Sequence, residues 1–450
     1  MKTPEPPSRI LAGQLFDPCL LKLIPNQLIS VSRETGLILD VCTFSPSSVP
    51  DILQKYPDII DLRHLTVAPG FVDVHVHFFL HSYSETSWAD QLTKESLVER
   101  TVRATVHAHK TLMAGFTSVR DLGTEGAEDA DISLRKCLSG PNPMIPGPRY
   151  FCANRAIVST GSYGPKSSIH LNKEGIEGVV GAEAADGEAE CVRAVRKQIG
   201  AGADWIKIYA DYPVRSRMSD VSPRFSGRSI ATFSPAELKT LIDTAHQYGV
   251  PVAAHAKTAP VIKTLLGLGV DSLEHGTDLH ADPALVRTLA RRECRTVWVP
   301  TLAACYAFAQ RGLGTALWEA AQRSFAAVLS AGVGNIALAC GGDTGVFPHG
   351  ENALEMQLMV RLGAPWEWVL RWGTLGGWEC IRRGREEQED TEGGEGDNAV
   401  PFGCVRPGWT ADLVGLDGDL ETDFEKTVQR VEFVMKGGRV YKQNGKEIVL

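Results

Sequence analysis

The chain has 450 residues, 43% of them hydrophobic, and a formal net charge of −8. That length supports a large core in one big domain or two to three smaller ones. A mean hydropathy of −0.09, with no apolar run of eighteen, argues against a membrane span, and the acidic balance argues against nucleic acid as a main partner.

The N-terminus, "MKTPEPPSRILAGQLFDP", has prolines where a secretion signal would be apolar, and the ten cysteines include no CxxC pair. Both features lead us to expect reduced thiols and an intracellular, cytoplasmic protein. Residues 8–66 carry short β-type runs, "NQLISVS" and "GLILDVC", with turn signals between them. From residue 67 the pattern becomes short apolar runs alternating with helical stretches. Eight runs have strand character: 72–78, 115–123, 149–157, 204–210, 250–256, 270–276, 295–302 and 336–343. Helical patterns fill most gaps, such as "KESLVERTVRATVHAHKTLMAG" and "SPAELKTLIDTAHQYG", the latter opened by Ser234 with Glu237 three residues on. Residues 385–398 then hold seven acids against one arginine, which makes the segment 385–399 an expected solvated, mobile loop. After residue 400 the pattern is β-type again, with Gly437-Gly438 as a hairpin turn.

Two expectations follow. Residues 1–66 and 400–450 should pair into one satellite sheet domain. The alternation over 67–384 predicts an α/β fold of the (β/α)₈ TIM-barrel type, with its chemistry at the carboxyl ends of the strands. Polar residues recur at those ends: His75 and His77 on the first strand, Lys207 on the fourth, His255 on the fifth, His275 on the sixth and Asp343 on the eighth. The i, i+2 spacing of His75 and His77 turns both rings to one face. A lone histidine is most often a packing residue; four at the same end of successive strands form a pattern.

The words "APGFVDVHVHF", "AGFTSVRDLG", "ADWIKIYAD", "VPVAAHAKT", "DSLEHGTDL", "VPTL", "GGDTGVFPHGEN" and "VRPGWTADLVGLDG" resemble the landmarks of the amidohydrolase superfamily of metal-dependent hydrolases. Within it they resemble the dinuclear branch of Xaa-Pro dipeptidases and fungal ochratoxin-type amidases. The resemblance runs from about residue 60 to 440. It implies a distorted barrel with a β-sandwich built from both chain ends. It also implies a buried metal on His75, His77 and Asp343, a second metal on His255 and His275, and a bridge from Lys207 carboxylated by carbon dioxide. A lysine ammonium has donors only and cannot bind a cation, whereas a carbamate is an oxygen donor of carboxylate type. The donor set suits Zn²⁺, with Mn²⁺ or Co²⁺ also fitting.

The activity implied is hydrolysis of an amide or peptide C–N bond by a metal-bridged hydroxide, with Asp343 moving the proton. The substrate would be an N-acyl amino acid, a dipeptide or a related small amide. A cyclic-amide hydrolase or a mononuclear deaminase of the same superfamily is the alternative. Mononuclear members usually lack the lysine, so Lys207 discriminates; a catalytically silent binding protein would not need all six site residues. Oligomeric state stays open.

Tyr209, two residues past Lys207, shares its strand face and resembles a phenol that holds a substrate carboxylate or carbonyl oxygen. His349 lies in the loop after Asp343, Arg120 ends the second strand and could pair a carboxylate or Asp121, and Ser162 and Tyr163 belong to the glycine-flanked loop "STGSYGPKS". His107, His109 and His246 fall in helical patterns and read as surface or packing residues.

Overall fold

The computed structural model describes residues 6–140, 142–163, 181–213, 229–382 and 398–448. The acidic stretch 385–397 and the glycine-flanked loop beyond Tyr163 lie outside the described residues.

Both chain ends enter one sheet. Its order is Lys446–Glu447, Arg439–Gln443, Val431–Lys436, Leu413–Leu416, Ile60–Pro69, Ser8–Asp17, Lys22–Val31, Ile38–Thr43. The join is the antiparallel pairing of Leu413 with Pro69 through Leu416 with Thr66. Alternate residues of these strands, among them Ile10, Ala12, Leu413, Phe433 and Met435, pack into a core of their own, as a period of two requires. Gly437 and Gly438, with φ of 57° and 75°, form the two-residue turn from Lys436 to Arg439, where positive φ at both positions suits a hairpin. The N-terminal share of this sheet runs to Pro69, three residues past the expected boundary.

The centre holds two parallel sheets, beside a short antiparallel pair of Asp211–Tyr212 with Ile230–Ala231. One sheet holds Phe71–Val76, Phe116–Asp121 and Arg149–Cys152; another holds Glu183–Ala184, Ile157–Val158, Ile206–Tyr209, Val252–Ala256, Ser272–His275 and Val297–Val299. Apart from Glu183–Ala184 at one edge, these strands are buried along their whole length, the pattern of parallel strands covered on both faces. The amide of Asp204 donates to Cys152 O at 2.8 Å, linking the two sheets. The third expected strand, 149–157, is divided, with Asn154 at φ 59° between its parts. The eighth, 336–343, is not a regular strand. It makes single bridges, Leu338 to Trp298 and Thr344 to Val76, and the Asp343 amide donates to His75 O at 2.8 Å. Gly341 and Gly342 lie within it, packed against Val299, His75 and Phe347, and Asp343 has a left-handed φ of 61°.

The helices match their sequence signals. Leu97–Met113 starts at Ser96, whose hydroxyl accepts from the Glu99 amide. Pro235–Gln247 starts at Ser234, which forms a capping box with Glu237.

Candidate metal centre and substrate cavity

His75 is the penultimate residue of its strand, and His77 follows the last one. Both rings reach the same acid: His75 Nε2 lies 3.5 Å and His77 Nε2 3.3 Å from Asp343 Oδ1. Ligand atoms of these three residues lie within 4.8 Å of one another. The His275 ring centroid is 5.4 Å from that of His75 and 4.3 Å from that of His255. Lys207, in the Ile206–Tyr209 strand, is buried near enough for its charge to act on His75, His255 and His275. Six residues separated by up to 268 positions thus lie close together.

The backbone bends to bring them there. Ser272 and Glu274 face inward together, so a regular strand would turn His275 away. Its φ of 71° brings the ring back, and Asp343 at 61° and Thr301 at 51° share this left-handed conformation. The His275 Nδ1 lies 2.7 Å from Thr301 Oγ1. Non-glycine residues in this region are strained, and such strain concentrates at functional sites.

Charges around the cluster are arranged for cations. Burial lowers the His75 imidazole to about 4 and holds His255 and His275 well below their usual value, so these rings are neutral, the metal-binding form. Burial would also lower His77, but its hydrogen bond to Asp343 outweighs this and carries it up to about 9; an ion entering there displaces a proton. Burial would raise the Asp343 carboxyl, yet His75 and His77 hold it well below the carboxylate range. Burial pushes the Lys207 ammonium down to about 8 against the opposing pull of Glu274 and Asp343.

Lys207 Nζ and His255 Nε2 are buried and have no hydrogen-bond partner among the described residues. Buried polar atoms are normally paired. Two unpaired nitrogens beside three histidines and a carboxylate fit a site that holds metal ions.

Above the cluster is a cavity of about 300 Å³ lined by His75, His77, His255, His275, Asp343, Tyr209, Tyr163 and others. Tyr209 and Tyr163 both donate their hydroxyls to Glu125, the first at 3.1 Å. The remaining two expected contacts are elsewhere. Arg120 is fully buried under the cavity, not on its wall: it donates to Val74 O at 2.7 Å and to Glu274 Oε1 at 2.9 Å, with Trp205 against its face. Its partner is neither a substrate carboxylate nor Asp121, because the inward strand face aims it at Glu274. His349 is likewise off the wall, its Nε2 at 2.8 Å from Leu80 O and its ring stacked at 4.2 Å on His107.

Several site residues were not among those expected from the sequence. Glu274 accepts from Arg120 and Ser272 and lies 2.7 Å from His75 Nδ1, a carboxylate that fixes the ring's tautomer and aims Nε2 at Asp343. Asp73 accepts from the amides of His75 and Gly342 and from Asn352, tying the first strand to the Asp343 segment. Alternation alone turns Asp73 toward the His75 side and could have found it. Glu125, Tyr83, Trp88, Tyr212, Lys257 and Cys305 complete much of the cavity; they lie in loops or past strand ends, where no period applies.

The sequence matches the amidohydrolase family over residues 66–385. The chain belongs to the amidohydrolase family. As a member it is a hydrolase acting on carbon–nitrogen bonds. It is 27% identical to the ochratoxinase of Aspergillus niger over 454 aligned positions, covering 94% of this chain and 86% of that one. Among solved structures, a Xaa-Pro dipeptidase with methionine in its active site aligns with a TM-score of 0.78 and 27% identity, covering 97% of this chain and all of the other. The A. niger ochratoxinase structure aligns at 0.74 with 23% identity over 97% and 96% of the two chains, a likeness of fold. Among the described residues of this amidohydrolase, no helix is long and apolar enough to cross a membrane.

Proposed function

We propose that this amidohydrolase is a dinuclear metal enzyme that cleaves an amide or peptide bond of a small N-acyl amino acid, dipeptide or related amide. The observation that carries the reading is the pair of unpaired buried nitrogens, Lys207 Nζ and His255 Nε2, within a cluster of three further histidines and one aspartate. Six donors exceed what one tetrahedral ion takes. His75, His77 and Asp343 would hold one ion, His255 and His275 the other, and carboxylated Lys207 would serve both. Zn²⁺ suits this set, as would Mn²⁺ or Co²⁺. When bound, the ions supply Lewis acidity toward the carbonyl and acidify the attacking water.

The chain's own residues do the rest. Asp343 takes the proton of the attacking water and returns it to the leaving nitrogen as the C–N bond breaks, giving a carboxylic acid and an amine. Glu274 and Thr301 hold His75 and His275 in one orientation. The aromatic wall excludes bulk water from the reacting carbonyl. For the architecture, we infer a distorted (β/α)₈ barrel closed by residues 337–344, with a β-sandwich from residues 1–66 and 400–450.

The test is Lys207→Ala in the metal-loaded protein, assayed on a panel of dipeptides and N-acyl amino acids. The variant should lose hydrolysis, and formate or acetate should restore part of it by filling the gap left by the carbamate. Full activity without added acid, or two bound metals with no acid rescue, would remove Lys207 from the role assigned to it.

A further inference from the structure

Glu125 is buried, holds a φ of 52° and faces the cavity. Its carboxylate accepts from Tyr209, from Tyr163 and, at 3.1 Å, from Trp88 Nε1. All three donors are neutral. Among the described residues no lysine, arginine or histidine nitrogen comes within 4.0 Å of it in an ion pair. The nearby Arg100 is committed to the backbone, donating to the carbonyls of Phe79, Thr124 and Glu125. Arg100, His77 and Lys207 act on this carboxylate only through space, without a direct ion pair, and a buried carboxylate that lacks a direct cationic partner is costly and leaves room for one.

The phenols strengthen this. Each hydroxyl has one proton, and Tyr209 and Tyr163 direct theirs at Glu125. What their oxygens offer to the cavity is lone pairs. The rings form a continuous wall: Tyr163 lies 4.6 Å from Tyr209, 5.0 Å from Tyr212 and 5.3 Å from Trp88 between centroids. A carboxylate, two acceptor oxygens and electron-rich ring faces together suit a cation that donates N–H bonds. A substrate carboxylate placed there would meet a like charge. The same wall adjoins the metal cluster, since Tyr209 stacks on His255 at 4.8 Å.

We infer that Glu125, with the oxygens of Tyr163 and Tyr209, is the recognition site for a protonated amine on the substrate, so that the preferred amides carry a free ammonium group. This rests on the hydrolase reading above and narrows its substrate class. Lys257, which follows the end of the Val252–Ala256 strand that carries His255, also lines the cavity and gives it a positive group.

The test uses matched amides that differ only in having a protonated amine or a hydrogen at one carbon, placed on the acyl side in one set and on the leaving side in another. The metal-loaded wild type should prefer the amine-bearing member of at least one set by kcat/KM. Glu125→Gln should reduce that ratio roughly tenfold to a hundredfold, the range for a hydrogen bond to a charged group. In parallel, calorimetry should show phenethylamine binding more tightly than phenethyl alcohol, and Glu125→Gln should erase the difference; coordination of the amine to a metal would be indifferent to that change. If Glu125→Gln fails to fold, the wild-type preferences and a smaller loss of ratio in Tyr163→Phe decide. No amine preference in either assay overturns the site while leaving the hydrolase intact. Binding preference without hydrolysis of any substrate leaves an amine site and overturns the hydrolase reading.

Discussion

A lysine ammonium buried with no partner is unfavourable, and Lys207 is in that position when the site holds no ion. Its folded-state pKa of about 8 lies below the ordinary 10.5. Between those values the unfolded chain binds more protons, so stability of the metal-free protein rises with pH across that window; the cost is fully present below about 8 and gone above 10.5. Lys207→Met should therefore stabilise the metal-free protein at pH 7 by about 3 kcal/mol, an advantage that disappears toward pH 10.5, while hydrolysis is lost. Denaturant midpoints taken across this range check it, and a less stable Lys207→Met at pH 7 would show that the amine has a partner. Asp343 tests the other half of the chemistry. Asp343→Asn keeps an oxygen for the ion but cannot carry a proton, so metal content should persist while kcat falls by about 10²–10⁴-fold. Activity within roughly threefold of the parent, far under that contribution, would remove Asp343 from proton transfer.

At the scale of elements, the site depends on how closely the Asp343 segment lies against the first strand. A Cβ built on Gly341 would stand 2.6 Å from Val299 Cγ1, 2.8 Å from His75 Cβ and 3.0 Å from the His75 nitrogen. Gly341→Ala should push His75 aside, costing roughly 1–3 kcal/mol of stability and weakening metal binding in a titration. Gly200, in the Gly187–Ala201 helix with nothing within 4 Å of its Cβ position, is the control. There alanine should add about 0.5–1 kcal/mol and leave metal binding unchanged. The same packing shows what a sequence can and cannot reveal. His75, His77, Lys207, His255 and His275 could be grouped from the sequence because each lies in or just past an apolar parallel strand, toward the end that such strands share; Asp343 follows an irregular segment instead. Arg120 also ends a strand, but a long side chain at an inward position reached Glu274 before it reached the cavity. Glu274 itself was hidden by alternation, which sets it opposite its neighbour His275 until a positive φ turns that histidine back. The eighth strand failed as a strand because glycines and a left-handed aspartate break its pairing.

Across the whole molecule, the two chain ends and the site are one mechanical unit. The strand Ile60–Pro69 pairs with Leu413–Leu416, and after Gly70, whose amide donates to Asp412 O at 2.8 Å, the chain enters the strand that carries the histidines. Asp412 also takes the buried guanidinium of Arg149 from the third parallel strand. The β-type character of both ends, read with the alternating centre, foretold that they pair; that they form one continuous run of eight strands was not readable, since register between distant segments leaves no local mark. Around this frame, six ligand-type residues converge where one ion needs at most four or five. Elemental analysis of the purified protein, titrated against recovery of hydrolysis after chelation, tests the dinuclear reading directly. Activity should reach its maximum at two divalent ions per chain. Full activity at one ion per chain would contradict it.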